Sequence, residues 1–85
     1  MFEFAVTDDF RKSLNQLDKS IQENIRSRLS FLSEVENPLR FAKRLTDYKN
    51  IFRFRAGNYR IVFRLEKRTI LLLLVKHRKD IYKGL

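Results

Sequence analysis

From Ile51 to Leu65 the chain reads IFRFRAGNYRIVFRL, two runs that alternate apolar and basic residues around Gly57 and Asn58. That pattern predicts a β-hairpin closed by a two-residue turn, because Gly and Asn tolerate the positive φ such turns use. The turn sets the register: Ala56 opposite Tyr59, Arg55 opposite Arg60, Phe54 opposite Ile61, Arg53 opposite Val62 and Phe52 opposite Phe63. Strand side chains alternate between faces. One face therefore carries Phe52, Phe54, Ala56, Tyr59, Ile61 and Phe63, and the other carries Arg53, Arg55, Arg60 and Arg64 around Val62. Like charges set directly opposite one another disfavour a sheet. A polyanion would offset that cost, while a solvated basic face serving solubility is the plain alternative.

Before the hairpin, Phe2 to Val6 alternates like a short strand with one buried face. Thr7 is placed to cap a helix, with Asp8 and Asp9 in its first turn and Phe10, Leu14 and Leu17 at helical spacing. A second helix is expected from Asp18 or Ser20, with Ser20 and Glu23 as a capping box and Ile21, Ile25, Leu29, Leu32 and Val35 on one face. Asn37 and Pro38 are expected to end it. Leu39 to Asn50 reads as a basic, exposed connection with Arg40, Lys43, Arg44 and Lys49, anchored by Leu45 and Phe41. After the hairpin, Glu66 to Arg68 turn the chain into a strand from Thr69 to Lys76. Its six consecutive apolar residues, Ile70 to Val75, suggest a central strand covered on both faces. His77 to Leu85 follows as a basic tail. The order predicts one α+β domain over residues 1–85: a short N-terminal strand, an antiparallel helix pair, then a three-stranded antiparallel meander, with the helices on one sheet face. The hairpin arginines would point from the other.

Composition narrows the chemistry. The 85 residues contain no Cys, so disulfides and thiolate-bound metals are excluded, and 44% apolar content with eight Phe suits a compact core. Neither a membrane-spanning run nor a secretory signal is visible, so a cytoplasmic location is expected. The net charge of +9 is unevenly spread: residues 1–39 hold five basic and seven acidic residues, and residues 40–85 hold fourteen basic and three acidic. Such asymmetry suits nucleic acid, an acidic protein partner, or both.

Common catalytic groupings are absent. There is no Gly-rich phosphate loop, no acidic metal cluster and a single His, His77, which reads as a structural or surface residue. Arg, Lys and Tyr remain. The tail residues His77, Arg78, Lys79 and Tyr82 follow a strand that ends beside the hairpin, which would gather Arg53, Arg55, Arg60, Arg78 and Tyr82. Arginine donates paired hydrogen bonds to phosphate and keeps its charge. Tyrosine offers a ring for base stacking or a phenol that positive neighbours push toward ionisation. These residues indicate RNA or phosphate binding, and leave catalysis open. Duller roles exist for each: Arg60 pairing with Glu66, Arg78 capping a chain end, Tyr82 packing on the sheet edge, and Tyr59 in the core.

The stretch FRFRAGNYRIVFRL, followed after an apolar strand by KHRKDIY, resembles the RelE/ParE superfamily of toxin–antitoxin toxins, in which an R-x-R-x-G-x-Y-R hairpin precedes a terminal H-R-[RK]-[DE]-hydrophobic-Y. The short strand, helix pair and Lys43–Arg44–Leu45 connection occur in the family's order. The resemblance implies a RelE-like two-layer fold and a small toxin neutralised by an acidic antitoxin. It also implies, for the RelE-like branch, a ribosome-dependent endonuclease that cuts messenger RNA in the A site by attack of a ribose 2′-oxygen, without metal or cofactor. By position, Arg60 matches the arginine that stabilises the phosphate transition state, Arg78 the tail arginine that assists proton transfer or holds phosphate, and Tyr82 the tyrosine that stacks on the nucleotide or orients the nucleophile. Arg53, Arg55, Arg64, Lys43, Arg44 and Lys79 are the implied RNA-binding residues. Arg53 stands where well-studied members have one of two lysines, and Ile51 stands where they have the other, which leaves the general base unassigned. ParE-like members inhibit DNA gyrase instead, and a catalytically silent homologue that only binds antitoxin or nucleic acid is a third possibility.

Overall fold

A computed structural model describes residues 1–45 and 48–81. The elements are β1 (Glu3–Val6), α1 (Asp8–Asn15), α2 (Lys19–Glu34), a 3-10 turn (Pro38–Phe41), β2 (Ala42–Arg44), β3 (Ile51–Ala56), β4 (Tyr59–Glu66) and β5 (Thr69–His77). They form one five-stranded sheet in the order β1-β5-β4-β3-β2. The meander β3-β4-β5 is antiparallel as expected, and β1 joins β5 in parallel. Two features depart from expectation. The connection before the hairpin contains an extra edge strand, β2, pairing Ala42 with Phe54, Lys43 with Arg53 and Arg44 with Phe52. The strand at the sheet centre is β4, with β5 beside it.

The hairpin register is the one the turn dictates, from Ala56 opposite Tyr59 to Phe52 opposite Phe63. Of the two turn residues, Gly57 takes a positive φ, at 60°, and Asn58 does not, which is the φ pattern of a type II′ turn with Gly first. Phe54 and Phe63 stack with centroids 4.4 Å apart, and Phe52 stacks on Phe63 at 5.5 Å. With Phe10 and Leu14 of α1 and Ile25 and Leu32 of α2, these rings make the main core on one sheet face. α1 rests on β5 and α2 crosses β3.

Helix ends explain two further departures. Ser20 and Glu23 lie inside α2 and form no capping box; Asp18 is the N-cap and makes no side-chain cap bond. Instead Gln22 donates to the carbonyl of Leu17 at 2.8 Å and ties the two helices' junction. α2 stops at Glu34, before Asn37, whose Oδ1 accepts from the Leu39 amide and starts the 3-10 turn. Leu45 is fully buried, as an anchor should be, whereas Phe41 is 41% exposed.

The opposite sheet face is not bare. Leu45, Val62 and Ile81 form a second small core with Ile51, Leu73 and Leu74 around them. A β-bulge makes this possible. Val62 pairs with Leu74 but Phe63 pairs with Leu72, so Leu73 is the extra residue. Ile70, Leu72 and Val75 reach the main core while Leu73 and Leu74 reach the second. The apolar run thus feeds both faces, and its parity reverses midway.

β1 ends at Val6, leaving the far half of β5 with an open edge whose amides and carbonyls need partners. Two hydroxyls close it. Thr7 Oγ1 accepts from the Phe10 amide, capping α1, and donates toward the carbonyls of Leu72 (2.9 Å) and Leu73 (3.2 Å). Ser13 Oγ accepts from the Val75 amide at 3.0 Å. Thr7→Val should therefore cost about 1–2 kcal/mol and Ser13→Ala about 1 kcal/mol, measured by urea unfolding. Equal stability of both variants with the parent would remove this account of how α1 is fastened to the sheet.

Candidate nucleic-acid interface

The bulge at Leu73 decides which charges meet. Cross-strand partners share a face, and β4 places Arg60 opposite Arg55 on one side and Lys76 on the other. Arg55, Arg60 and Lys76 make one row across three strands. The next row holds Lys43, Arg53, Val62 and Leu74. Without the bulge, uninterrupted alternation from Ile70 and Leu72 would send Lys76 to the helix-covered face. Lys76 is one site residue that sequence reasoning missed.

Arg60 is the best-fixed member. It is half-buried, and its Nη1 donates to the carbonyls of Gly57 and Tyr59, each at 3.0 Å. Burial, then the charges of Arg55, Arg53 and Arg78, push its guanidinium below the ordinary arginine value. The group stays cationic at neutral pH; burial is the larger cause, and the neighbouring arginines add a field that a bound anion would relieve. Arg78 joins through the backbone, its amide donating to the carbonyl of Asn58 at 2.7 Å, which fixes the end of β5 against the hairpin tip.

A cavity of about 290 Å³ opens beside this cluster, lined by Arg28, Phe41, Lys43, Arg53, Arg55 and Arg60. Among the described residues, no carboxylate lines it. Arg28 comes from α2, donates from Nε to the Arg55 carbonyl at 3.0 Å, and lies 5.3 Å from the centroids of both Phe31 and Phe41. Its place at the cavity could not be seen in a helix read only for its apolar stripe.

The remaining expected residues divide. Arg53, Arg55, Arg60, Arg78 and Lys43 come together. Arg44 does not, because its register with Phe52 places it on the helix side, with its guanidinium 5.6 Å from that ring. Arg64 lies four residues along β4 from Arg60, about 13 Å away, and its Nε donates to Glu66 at 3.0 Å. Glu66 thus pairs with Arg64, and not with Arg60. Lys79 is exposed on the turn after β5, where its amide donates to His77 Nδ1. His77 packs edge-on against Tyr59, 5.2 Å between centroids, as a structural residue. Ile51 is half-buried in the second core, so packing occupies the position of the missing lysine. Tyr82 lies outside the described residues. Among those described, no group of three or more His, Asp or Glu residues is arranged to hold a metal ion, and no helix is long and apolar enough to cross a membrane.

This fold is that of the RelE/ParE superfamily of small toxins. The profile of the ParE toxin of type II toxin–antitoxin systems matches residues 4–82. Toxin RelE3 of Methanocaldococcus jannaschii is 34% identical over 80 residues, covering 86% of this chain and 91% of that protein. A chain of the RelB–RelE antitoxin–toxin complex from Methanococcus jannaschii superposes with a TM-score of 0.75 at 28% identity, covering 95% of this chain and 98% of the other. A chain of the RelBE2 toxin–antitoxin complex from Mycobacterium tuberculosis does so at 0.73 and 27%, covering 91% and 98%. The chain belongs to the ParE toxin family and is a toxin of a type II toxin–antitoxin system.

The Arg55–Arg60–Lys76 row should cost stability in the free protein. Arg55→Gln is expected to raise unfolding stability by a few tenths of a kcal/mol at low ionic strength, with the gain shrinking as salt screens the row. A loss of stability at low salt would show that Arg55 is held by attractions stronger than this repulsion.

Proposed function

We propose that the chain is a ribosome-dependent messenger RNA endonuclease that arrests translation. The observation carrying this reading is the half-buried Arg60, fastened by two carbonyls and surrounded by Arg53, Arg55 and Arg78. In the reaction, a ribose 2′-oxygen attacks the adjacent phosphorus and the bond to the 5′-oxygen breaks. The products are a 2′,3′-cyclic phosphate and a 5′-hydroxyl; the proton lost by the 2′-oxygen is balanced by one gained at the 5′-oxygen, and no water is consumed. Negative charge builds on the non-bridging oxygens in the transition state. Arg60 and Arg53 are suited to neutralise it, and Arg78, exposed beside them, is suited to the leaving-group side. Tyr82 is assigned to the nucleotide base by the family pattern.

Among the described residues, no carboxylate or histidine lines the cavity to take the 2′-proton. Rate must then come chiefly from holding the 2′-oxygen in line and from prearranged positive charge, effects worth several kcal/mol each. Free RNA is flexible and makes a poor substrate for such a site. A ribosome that holds the message bent in its A site supplies the missing positioning, which places the action in the cytoplasm. An acidic antitoxin would neutralise the same face; the relatives in complex with RelB support such a partner.

A second reading, a gyrase inhibitor of ParE type, is favoured by the ParE profile match and by Ile51 in place of a lysine. Induction in cells separates the two. Messenger cleavage, growth arrest and no DNA-damage response are expected. Arg60→Ala and Arg78→Ala should abolish the arrest while accumulating as folded protein, and Arg64→Ala should retain it. Full toxicity of both Arg60→Ala and Arg78→Ala, or a DNA-damage response with intact messages, would overturn the nuclease reading.

A further inference from the structure

We infer that Phe41 is the stacking platform of a nucleobase subsite, which extends the arginine cluster and takes the base of a nucleotide whose phosphate lies among Arg53, Arg55 and Arg60. The inference deepens the nuclease reading and rests on it for the choice of ligand, single-stranded RNA.

Phe41 was expected to be an apolar anchor, yet 41% of its surface is exposed. It is nonetheless held in place. Its ring meets Phe31 edge-on, with centroids 5.4 Å apart and planes at 78°, and the Arg28 guanidinium lies 5.3 Å from both rings. Arg28 is itself fixed by its bond to the Arg55 carbonyl. An exposed aromatic ring with its orientation already set loses little entropy when a second flat group lies against it.

Its surroundings select the occupant. Phe41 shares one cavity with Arg28, Lys43, Arg53, Arg55 and Arg60, five cations and, among the described residues, no carboxylate. An apolar peptide side chain would find the ring but bring no anion to those cations, whereas single-stranded nucleic acid offers a π-face and a phosphate on every repeat. The spacing agrees. Phe41 directly precedes Ala42 on edge strand β2, and Arg60 lies two strands further in on β4. Two strand spacings are about 10 Å at the backbone, a separation one nucleotide with the side chains that grip it would span. Stacking tolerates any base, so the subsite would add affinity and hold the nucleotide still without imposing a sequence.

The test uses the full chain and two short oligoribonucleotides of equal length, one with bases and one with abasic sites at its central positions, at low salt. Phe41→Leu should bind the base-containing strand about tenfold more weakly, Phe41→Trp should match the parent, and all three should bind the abasic strand equally. A central 5-iodouridine should photocrosslink to Phe41 in the parent. Circular dichroism of each variant checks its fold. Equal binding of the base-containing strand by Phe41→Leu and the parent, an equal loss on the abasic strand, or a crosslink mapping elsewhere would overturn the inference. Loss of antitoxin binding with RNA binding unchanged would overturn it in favour of a protein-docking role. The readout requires no cleavage, so a chain that stacks RNA on Phe41 but never cuts a message would refute the nuclease reading and leave the subsite standing.

Discussion

Arg55 and Arg60 face each other across β3 and β4, and Lys76 extends the row onto β5. Such a repulsion persists in a small sheet only if other contacts hold the strands in register. Here they are the stacked Phe52, Phe63 and Phe54 on the opposite face, pressed by two helices, and the small core of Leu45, Val62 and Ile81 just below the charged row. A buried aromatic side chain contributes about 1.5–3 kcal/mol, and an opposed like-charge pair at a solvated surface costs less than one. Packing therefore wins by a wide margin, and the site can remain charged and preorganised without ligand.

The same packing makes the site specific in shape. Burying Val62 and Leu74 on the arginine side requires β5 to reverse its alternation, and the bulge at Leu73 does so. One irregularity thus completes the second core and turns Lys76 toward Arg60. The end of β5 is then fastened by the bond from the Arg78 amide to Asn58, which brings the tail arginine to the hairpin tip. Charge placement and core packing share one backbone feature, so a mutation at the bulge would move both.

Much of this was legible in the chain. The hairpin register follows from a two-residue turn at Gly57 and a period of two, both local signals, and it set Arg53, Arg55 and Arg60 on one face before any tertiary contact was known. Thr7 as cap and Leu45 as anchor were equally local. What stayed hidden was non-local. β2 has three residues, too few to show a period, so Arg44 reads as part of an exposed basic connection, whereas pairing with Phe52 turns it to the helix side. The six-residue apolar run of β5 has no polar position to reveal where its parity changes, which concealed Lys76. Arg28 and Phe41 are far apart in sequence and meet only because α2 crosses β3 beside β2.

In the proposed nuclease, no carboxylate or histidine among the described residues lines the arginine cavity, and a partner would have to hold the message. Primer extension on a defined message in a reconstituted translation system, with purified chain and with bare RNA alongside, tests this most directly. Cuts that appear only with ribosomes, at a fixed position in the A-site codon, are the expected result. Equal cutting of bare RNA would mean that the chain carries a complete catalytic set of its own. No cutting in either case, from folded protein, would contradict the nuclease reading and direct attention to gyrase.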